Sequence, residues 1–88
     1  MTSPNAVKIE WLDEAKADVR RLDRAVARHI IFEGVLRYAL IGSGDVRPLH
    51  GGLTGSFRLR LGDYRVMFKL HDDTMRIFGV RHRSEAYR

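Results

Sequence analysis

No cysteine occurs among the 88 residues. Disulfides, zinc-thiolate centres and thiol nucleophiles are therefore excluded, and a reducing cytoplasm is compatible. No apolar run approaches the length of a membrane span, and the opening Met1-Thr2-Ser3-Pro4-Asn5 lacks the basic stretch and apolar core of a secretory leader. The expected location is the cytosol, with no membrane partner. Low-complexity stretches are also missing, and the length fits one globular domain over residues 1–88 with no room for a second. The core of such a chain is modest, so a bound partner would add usefully to its stability.

What the sequence does have is basic charge. Sixteen Lys plus Arg stand against 11 Asp plus Glu, a formal net charge of +5. Residues 1–43 hold seven cations and six anions, whereas residues 44–88 hold nine and five, so +4 of the excess lies in the second half. A polyanionic partner is implied: nucleic acid, a ribosome or an acidic protein segment.

Hydrophobic periodicity changes along the chain in the same place. Ala6 to Trp11 alternates and predicts a short strand, with Val7, Ile9 and Trp11 on one side. Asp13 then caps a first helix with a stripe of Leu12, Ala15, Val19 and Leu22. Asp23 caps a second, whose stripe of Val26, Ile30, Gly34, Tyr38 and Ile41 runs to the Gly42-Ser43-Gly44 stop, so the two form a helical hairpin. Asp45 to Gly55, with Pro48 and three glycines, reads as a loop with at most a little extended structure.

From Phe57 to Lys69 two strictly alternating strands flank a two-residue Gly62-Asp63 turn. A hairpin of that length pairs Leu61 with Tyr64, Leu59 with Val66 and Phe57 with Phe68 on an apolar face, and Arg60 with Arg65 and Arg58 with Met67 on the other. Like charges placed directly opposite one another are unfavourable. A bound phosphate would relieve them, and arginine forks suit its oxygens. His71-Asp72-Asp73-Thr74 is a turn into a last strand, Met75 to His82. Unbroken alternation there would leave Met67, Phe78 and Val80 as an apolar floor on the basic face, beside His82, and would aim Arg81 at the helices. A bulge or strand end near Gly79 is therefore expected. The sum is an α+β fold: an N-terminal strand and a two-helix hairpin packed on one face of a small antiparallel sheet, with the Arg58, Arg60 and Arg65 face left open.

Three segments then carry a likeness: Pro48-Leu49-x-Gly51, Gly55-x-Phe57-Arg58-Leu59-Arg60-x-Gly62-Asp63-Tyr64-Arg65-Val66, and His82-Arg83-Ser84-Glu85-Ala86-Tyr87-Arg88. In this order, after a strand and a helical hairpin, they make the chain resemble the RelE/ParE superfamily of toxins from type II toxin-antitoxin pairs, over nearly its whole length. The resemblance implies a helical hairpin on a four-stranded antiparallel sheet, a cognate antitoxin as partner and no cofactor. For the RelE-like branch it implies a ribosome-dependent endoribonuclease that cuts mRNA in the ribosomal A site. For the ParE-like branch it implies a poison of DNA gyrase. The basic positions of RelE-like members match Arg58, Arg60, Arg65 and Arg81, and their C-terminal tyrosine matches Tyr87, which favours the ribonuclease. A gyrase inhibitor, or a degenerate member that only binds antitoxin, is the alternative.

The reaction implied for the RelE-like branch is attack of the RNA 2′-hydroxyl on the adjacent phosphorus without a metal, leaving a 2′,3′-cyclic phosphate and a 5′-hydroxyl end. Arg65 with Arg58 would neutralise the transition-state charge. A base and an acid are also required. Hairpin positions usually occupied by lysine in that branch are Arg58 and Arg60 here, and arginine, with a pKa above about 12, is a poor base. His82 is the candidate in their place, since imidazole titrates near neutral pH; a structural bond to a backbone carbonyl is its other reading. Tyr87 would orient or stack on a nucleotide, or else anchor the C-terminus. His50 and His71 fall in turns as bystanders, and Trp11, Phe57, Tyr64 and Phe68 are assigned to the core.

Overall fold

The computed structural model describes residues 7–49 and 55–86, with Glu85 and Ala86 described by backbone alone. Strand β1 (Lys8–Trp11) leads into helix α1 (Asp13–Arg20). A second helix runs on through α2 (Arg24–His29), a π-helical segment (Ile30–Leu36) and α3 (Arg37–Ile41). Strands β2 (Asp45–Pro48), β3 (Ser56–Leu61), β4 (Tyr64–His71) and β5 (Thr74–His82) follow, and α4 (Arg83–Ala86) closes the described chain. The α+β architecture is the expected one.

The sheet is larger than expected: five strands in the order β1-β5-β4-β3-β2. β1 lies parallel to β5, with Lys8 opposite Thr74 and Trp11 opposite Ile77. The additional strand is the four-residue β2, in a stretch expected to be loop with at most a little extended structure. It pairs antiparallel with β3 and sets Pro48 opposite Phe57. An edge strand has a neighbour on one side only, which is where a proline lacking its N–H is tolerated.

The expected caps divide. Leu12, not Asp13, occupies the α1 cap with extended backbone, and Asp13 and Glu14 fall in the first turn, where negative charge meets the positive end of the helix. Asp23 does cap α2, its Oδ2 accepting the Ala25 N–H at 3.1 Å. Gly42, at φ 71°, ends α3 in the left-handed conformation.

The π-segment has a cause in the sequence. Val26, Ile30, Gly34 and Tyr38 recur every four residues, and in an α-helix each such step overshoots one turn by about 40°. The wider turns of Ile30–Leu36 take up that overshoot, so Ile30 and Gly34 both stay buried. Ile41, expected on the same stripe, is instead 61% exposed. The π-segment rests on β3 and α1 on β5. Gly34 permits the close approach, since a methyl group there would stand 3.1 Å from Leu61 Cδ2.

Between these layers lie Ile30, Val35, Leu59, Val66, Phe68, Met75 and Ile77, all essentially without solvent contact. The Phe68 ring is flanked by Tyr38 and Phe57, with centroids 5.4 and 5.8 Å away. Partial burial pushes the Tyr38 phenol above its ordinary pKa. Trp11, Phe57 and Tyr64 pack against this core without being fully enclosed.

Candidate functional site

The β3–β4 hairpin has the register that its alternation predicts, from Phe57 opposite Phe68 to Leu61 opposite Tyr64. Gly62 takes φ 59° at the turn, and Asp72 and Asp73 take φ 48° and 62° at the next one. The β4–β5 pairing then slips by one residue: Phe68 faces Ile77 and Met67 faces Gly79, leaving Phe78 as a bulge. This is the irregularity expected near Gly79, and it reverses the faces that follow. Val80 is not part of an exposed floor. It opposes Val66 in the core and is 4% exposed, while Met67 and Phe78 are half-buried.

Directly opposed residues share a face of the sheet, so the registers arrange the face away from the helices into rows. One row runs Asp45, Arg60, Arg65, Arg81 across β2, β3, β4 and β5. The next runs Arg47, Arg58, Met67, Gly79, and a third runs Ser56, Lys69, Arg76 and Glu10 of β1. Glu10 binds Arg76 at 3.1 Å and Asp45 binds Arg47 at 3.5 Å. Among the described residues no carboxylate pairs with Arg60 or Arg65.

Arg65 differs from expectation in one respect: it belongs to the basic face but is not open to solvent, being only 5% exposed. Its side chain curls back over the β3–β4 turn, where Nη1 donates to the carbonyls of Gly62 at 3.2 Å and Tyr64 at 3.1 Å. Its Nε is buried without a hydrogen-bond partner. A guanidinium withdrawn from water is normally compensated by a carboxylate. Here the compensation is two backbone oxygens.

Arg81, expected to be a problem if aimed at the helices, opposes Arg65 and still reaches α1, where its Nη1 pairs with Asp18 Oδ2. Asp18 was missed in the sequence, although it sits three residues after Ala15 and four before Leu22, on the stripe that faces inward. Arg58 is half-buried between Arg47 and Met67 in its row. His82 does not stand with the arginines. Opposite Tyr64, it lies on the helix side of the sheet, its ring edge-on to the tyrosine with centroids 5.2 Å apart. The Ser84 N–H donates to its Nδ1 at 3.3 Å, and Ser84 Oγ is 3.0 Å from the same atom. His71 lies at a turn beside Asp72; His50 and Tyr87 are outside the described residues.

A second surface lies on the helices. Trp11, Val19 and Ile31 line an apolar hollow of about 270 Å³, rimmed by Lys16 and Arg20. On the second helix Phe32 and Leu40 are 56% and 58% exposed. Among the described residues no helix is long and apolar enough to cross a membrane.

Residues 9–87 match the family model for the ParE toxin of the parDE type II toxin-antitoxin system. The fold is similar to that in the RelBE2 toxin-antitoxin complex of Mycobacterium tuberculosis, with a TM-score of 0.80 and 21% identity over 97% of this chain and 100% of that one. It is also similar to the archaeal RelE-RelB complex of Pyrococcus horikoshii, with a TM-score of 0.68 and 27% identity over 92% of this chain and 99% of that one. The DinJ-YafQ toxin-antitoxin complex of E. coli gives 0.64 at 18% identity over 93% and 98%. No curated protein matches the sequence.

Proposed function

This chain belongs to the ParE toxin family of type II toxin-antitoxin systems and is a toxin of the RelE/ParE superfamily, and from that premise we propose that its target is mRNA in the ribosomal A site, which it cleaves as a ribosome-dependent endoribonuclease. The observation that carries this reading is Arg65. It is a nearly buried guanidinium, unpaired with any described carboxylate and flanked across the sheet by Arg60 and Arg81. Such a row is complete when an anion lies on it.

In the proposed reaction, Arg60 and Arg65 hold the scissile phosphate and offset the charge that grows on its oxygens as the 2′-oxygen attacks. The Arg65 side chain is held over the β3–β4 turn by the Gly62 and Tyr64 carbonyls before substrate arrives, so that charge needs little reorganisation. Arg58, one row away, meets the neighbouring phosphate, and Arg81 lies at the leaving 5′-oxygen end of the row. Tyr87 stacks on a nucleotide. His82 faces the other side of the sheet and is assigned to holding the start of α4. The arginine row supplies charge and position but no efficient proton-transfer group, so the proton of the 2′-hydroxyl passes to water and the leaving 5′-oxygen takes one from water, while the ribosome aligns the 2′-hydroxyl with the phosphorus. The partner that silences the toxin is an antitoxin, in keeping with the complexes that share its fold.

The family model itself, named for ParE, favours a second reading, inhibition of DNA gyrase. Two assays separate them: cleavage of mRNA on programmed ribosomes and supercoiling by gyrase, each with purified toxin. Ribosome-dependent cutting with unaffected supercoiling is expected. Inhibited gyrase with intact mRNA, or efficient cutting of naked RNA, would overturn the proposal.

A further inference from the structure

Asp18 is a charged residue in a place that does not require a charge. Its side chain is 5% exposed, on the inner side of α1. One oxygen, Oδ2, accepts the backbone N–H of Val80 at 2.9 Å and pairs with Arg81 Nη1, while Oδ1 takes Arg21 Nη2. The Val80 bond is explained by topology. β1 ends opposite Ile77, so from Phe78 onward that edge of β5 has no strand beside it, and the carboxylate takes up an N–H that a further strand would have received.

A neutral amide would serve that N–H as well, and burying a carboxylate is unfavourable unless it is paired. The charge is accounted for by the arginines, and they are unequal. Arg21 is 74% exposed, where an ion pair contributes little. Arg81 is 35% exposed and lies directly across the β4–β5 ladder from Arg65. Gly79 lies beside the pair, but the room it leaves is for Met67: a methyl group there would stand 2.8 Å from Met67 Cε and at an ordinary 3.8 Å from both Arg81 Nη1 and Asp18 Oδ2.

We propose that Asp18 is a positioning residue for Arg81. It draws one guanidinium nitrogen to the sheet edge, fixes the orientation of the rest over the end of the row, and lowers the repulsion that Arg81 exerts on the nearly buried Arg65. Arg81 therefore comes to an anion already oriented, the condition under which a fixed charge is most effective. The inference rests on reading the Arg60, Arg65 and Arg81 row as the working face.

The experiment has two arms. In the free protein, nitrogen-15 NMR of the Arg81 guanidinium should show hindered rotation that is lost in Asp18→Asn, with the Val80 amide still protected from exchange because the amide oxygen can accept its N–H. Free rotation of Arg81 in the wild type, or rotation unchanged in the variant, overturns the proposal. Arg81 Nη1 also donates to the Val80 carbonyl at 3.3 Å, so if Asp18→Asn does not fold, Asp18→Ser takes its place as the contrast, and Arg81→Gln serves to assign the guanidinium signal. The second arm is a double-mutant cycle in whichever of the ribosome and gyrase assays the wild type is active. Asp18→Asn should lower the maximal effect about tenfold with little change in half-saturation, and should have no further effect in an Arg81→Gln background. Independent, additive losses would show that Asp18 does not act through Arg81. A wild type inactive in both assays refutes the proposed function, and the NMR arm then judges the anchoring by itself.

Discussion

Arg60 and Arg65 stand directly opposite one another across the β3–β4 ladder, yet Arg60 is solvent-exposed and Arg65 is only 5% exposed. The same cross-strand pair thus contains one charge that water can screen and one that it cannot. Arg65 depends on the Gly62 and Tyr64 carbonyls for its polar partners, and its Nε has none. An anion binding between the two would relieve the repulsion.

Replacing Arg65 should therefore separate activity from stability. Arg65→Ala is expected to lower single-turnover cleavage on programmed ribosomes by about 10²- to 10³-fold, the scale seen when one preorganised donor is removed. Thermal unfolding should shift little, because the lost carbonyl bonds are offset by removal of a buried charge. A variant that folds and cuts at the wild-type rate would displace the site from this face.

Arg60→Gln should stabilise the free protein at low ionic strength, by a few tenths of a kcal/mol up to about 1 kcal/mol. At about 1 M salt, where the screening length falls to about 3 Å, the difference should shrink. Denaturant titrations of both proteins at the two ionic strengths read this directly, and a salt-independent difference would point to packing.

For His82 the expected result is small. Its ring packs on Tyr64 and its Nδ1 contacts Ser84, on the side of the sheet away from the arginines. His82→Gln should leave the pH profile of cleavage unchanged and the rate within about threefold of wild type. A loss of about 10²- to 10⁴-fold would mark it as the proton-transfer group after all.

Gly44→Ala tests the packing beneath β2. Gly44 has φ 152°, and a methyl group there would lie 2.8 Å from Cδ1 of Leu59, itself 1% exposed. The substitution should destabilise by about 1–3 kcal/mol, measured by chemical denaturation.

Antitoxin should cover the helical surface. An amphipathic, acidic segment would seat apolar side chains against Trp11, Val19 and Ile31 and its carboxylates near Lys16 and Arg20. Co-purified complex should show slower hydrogen exchange over α1 and the π-segment than free toxin, and equal exchange there would rule this surface out.

The parts legible in the sequence were those with strict local patterns. Alternation around Gly62-Asp63 determines the hairpin register, and the awkward aim of Arg81 points to a bulge or strand end near Gly79, of which the bulge is the one present. β2 was hidden because it is only four residues long, two of them charged, and includes Pro48, so only its pairing with β3 makes it a strand. The burial of Arg65 depends on how its side chain folds over a turn, which no periodicity records. Asp18 was concealed among the solvated charges of α1; the signal available was a carboxylate on an apolar stripe and an arginine without a partner. His82 was placed on the wrong side because one bulged residue inverts every position after it.

The π-segment makes the second helix sensitive to the number of its residues as well as to their identity. A π-turn holds one residue more than an α-turn. Deleting one residue between Ile31 and Leu36 would let that stretch revert to ordinary helix and keep α3 near its present phase. The same deletion within α2 would rotate the segments on either side by about 100° relative to each other and turn Tyr38 away from Phe68. This helix therefore has a built-in site for length change, and it lies directly above β3.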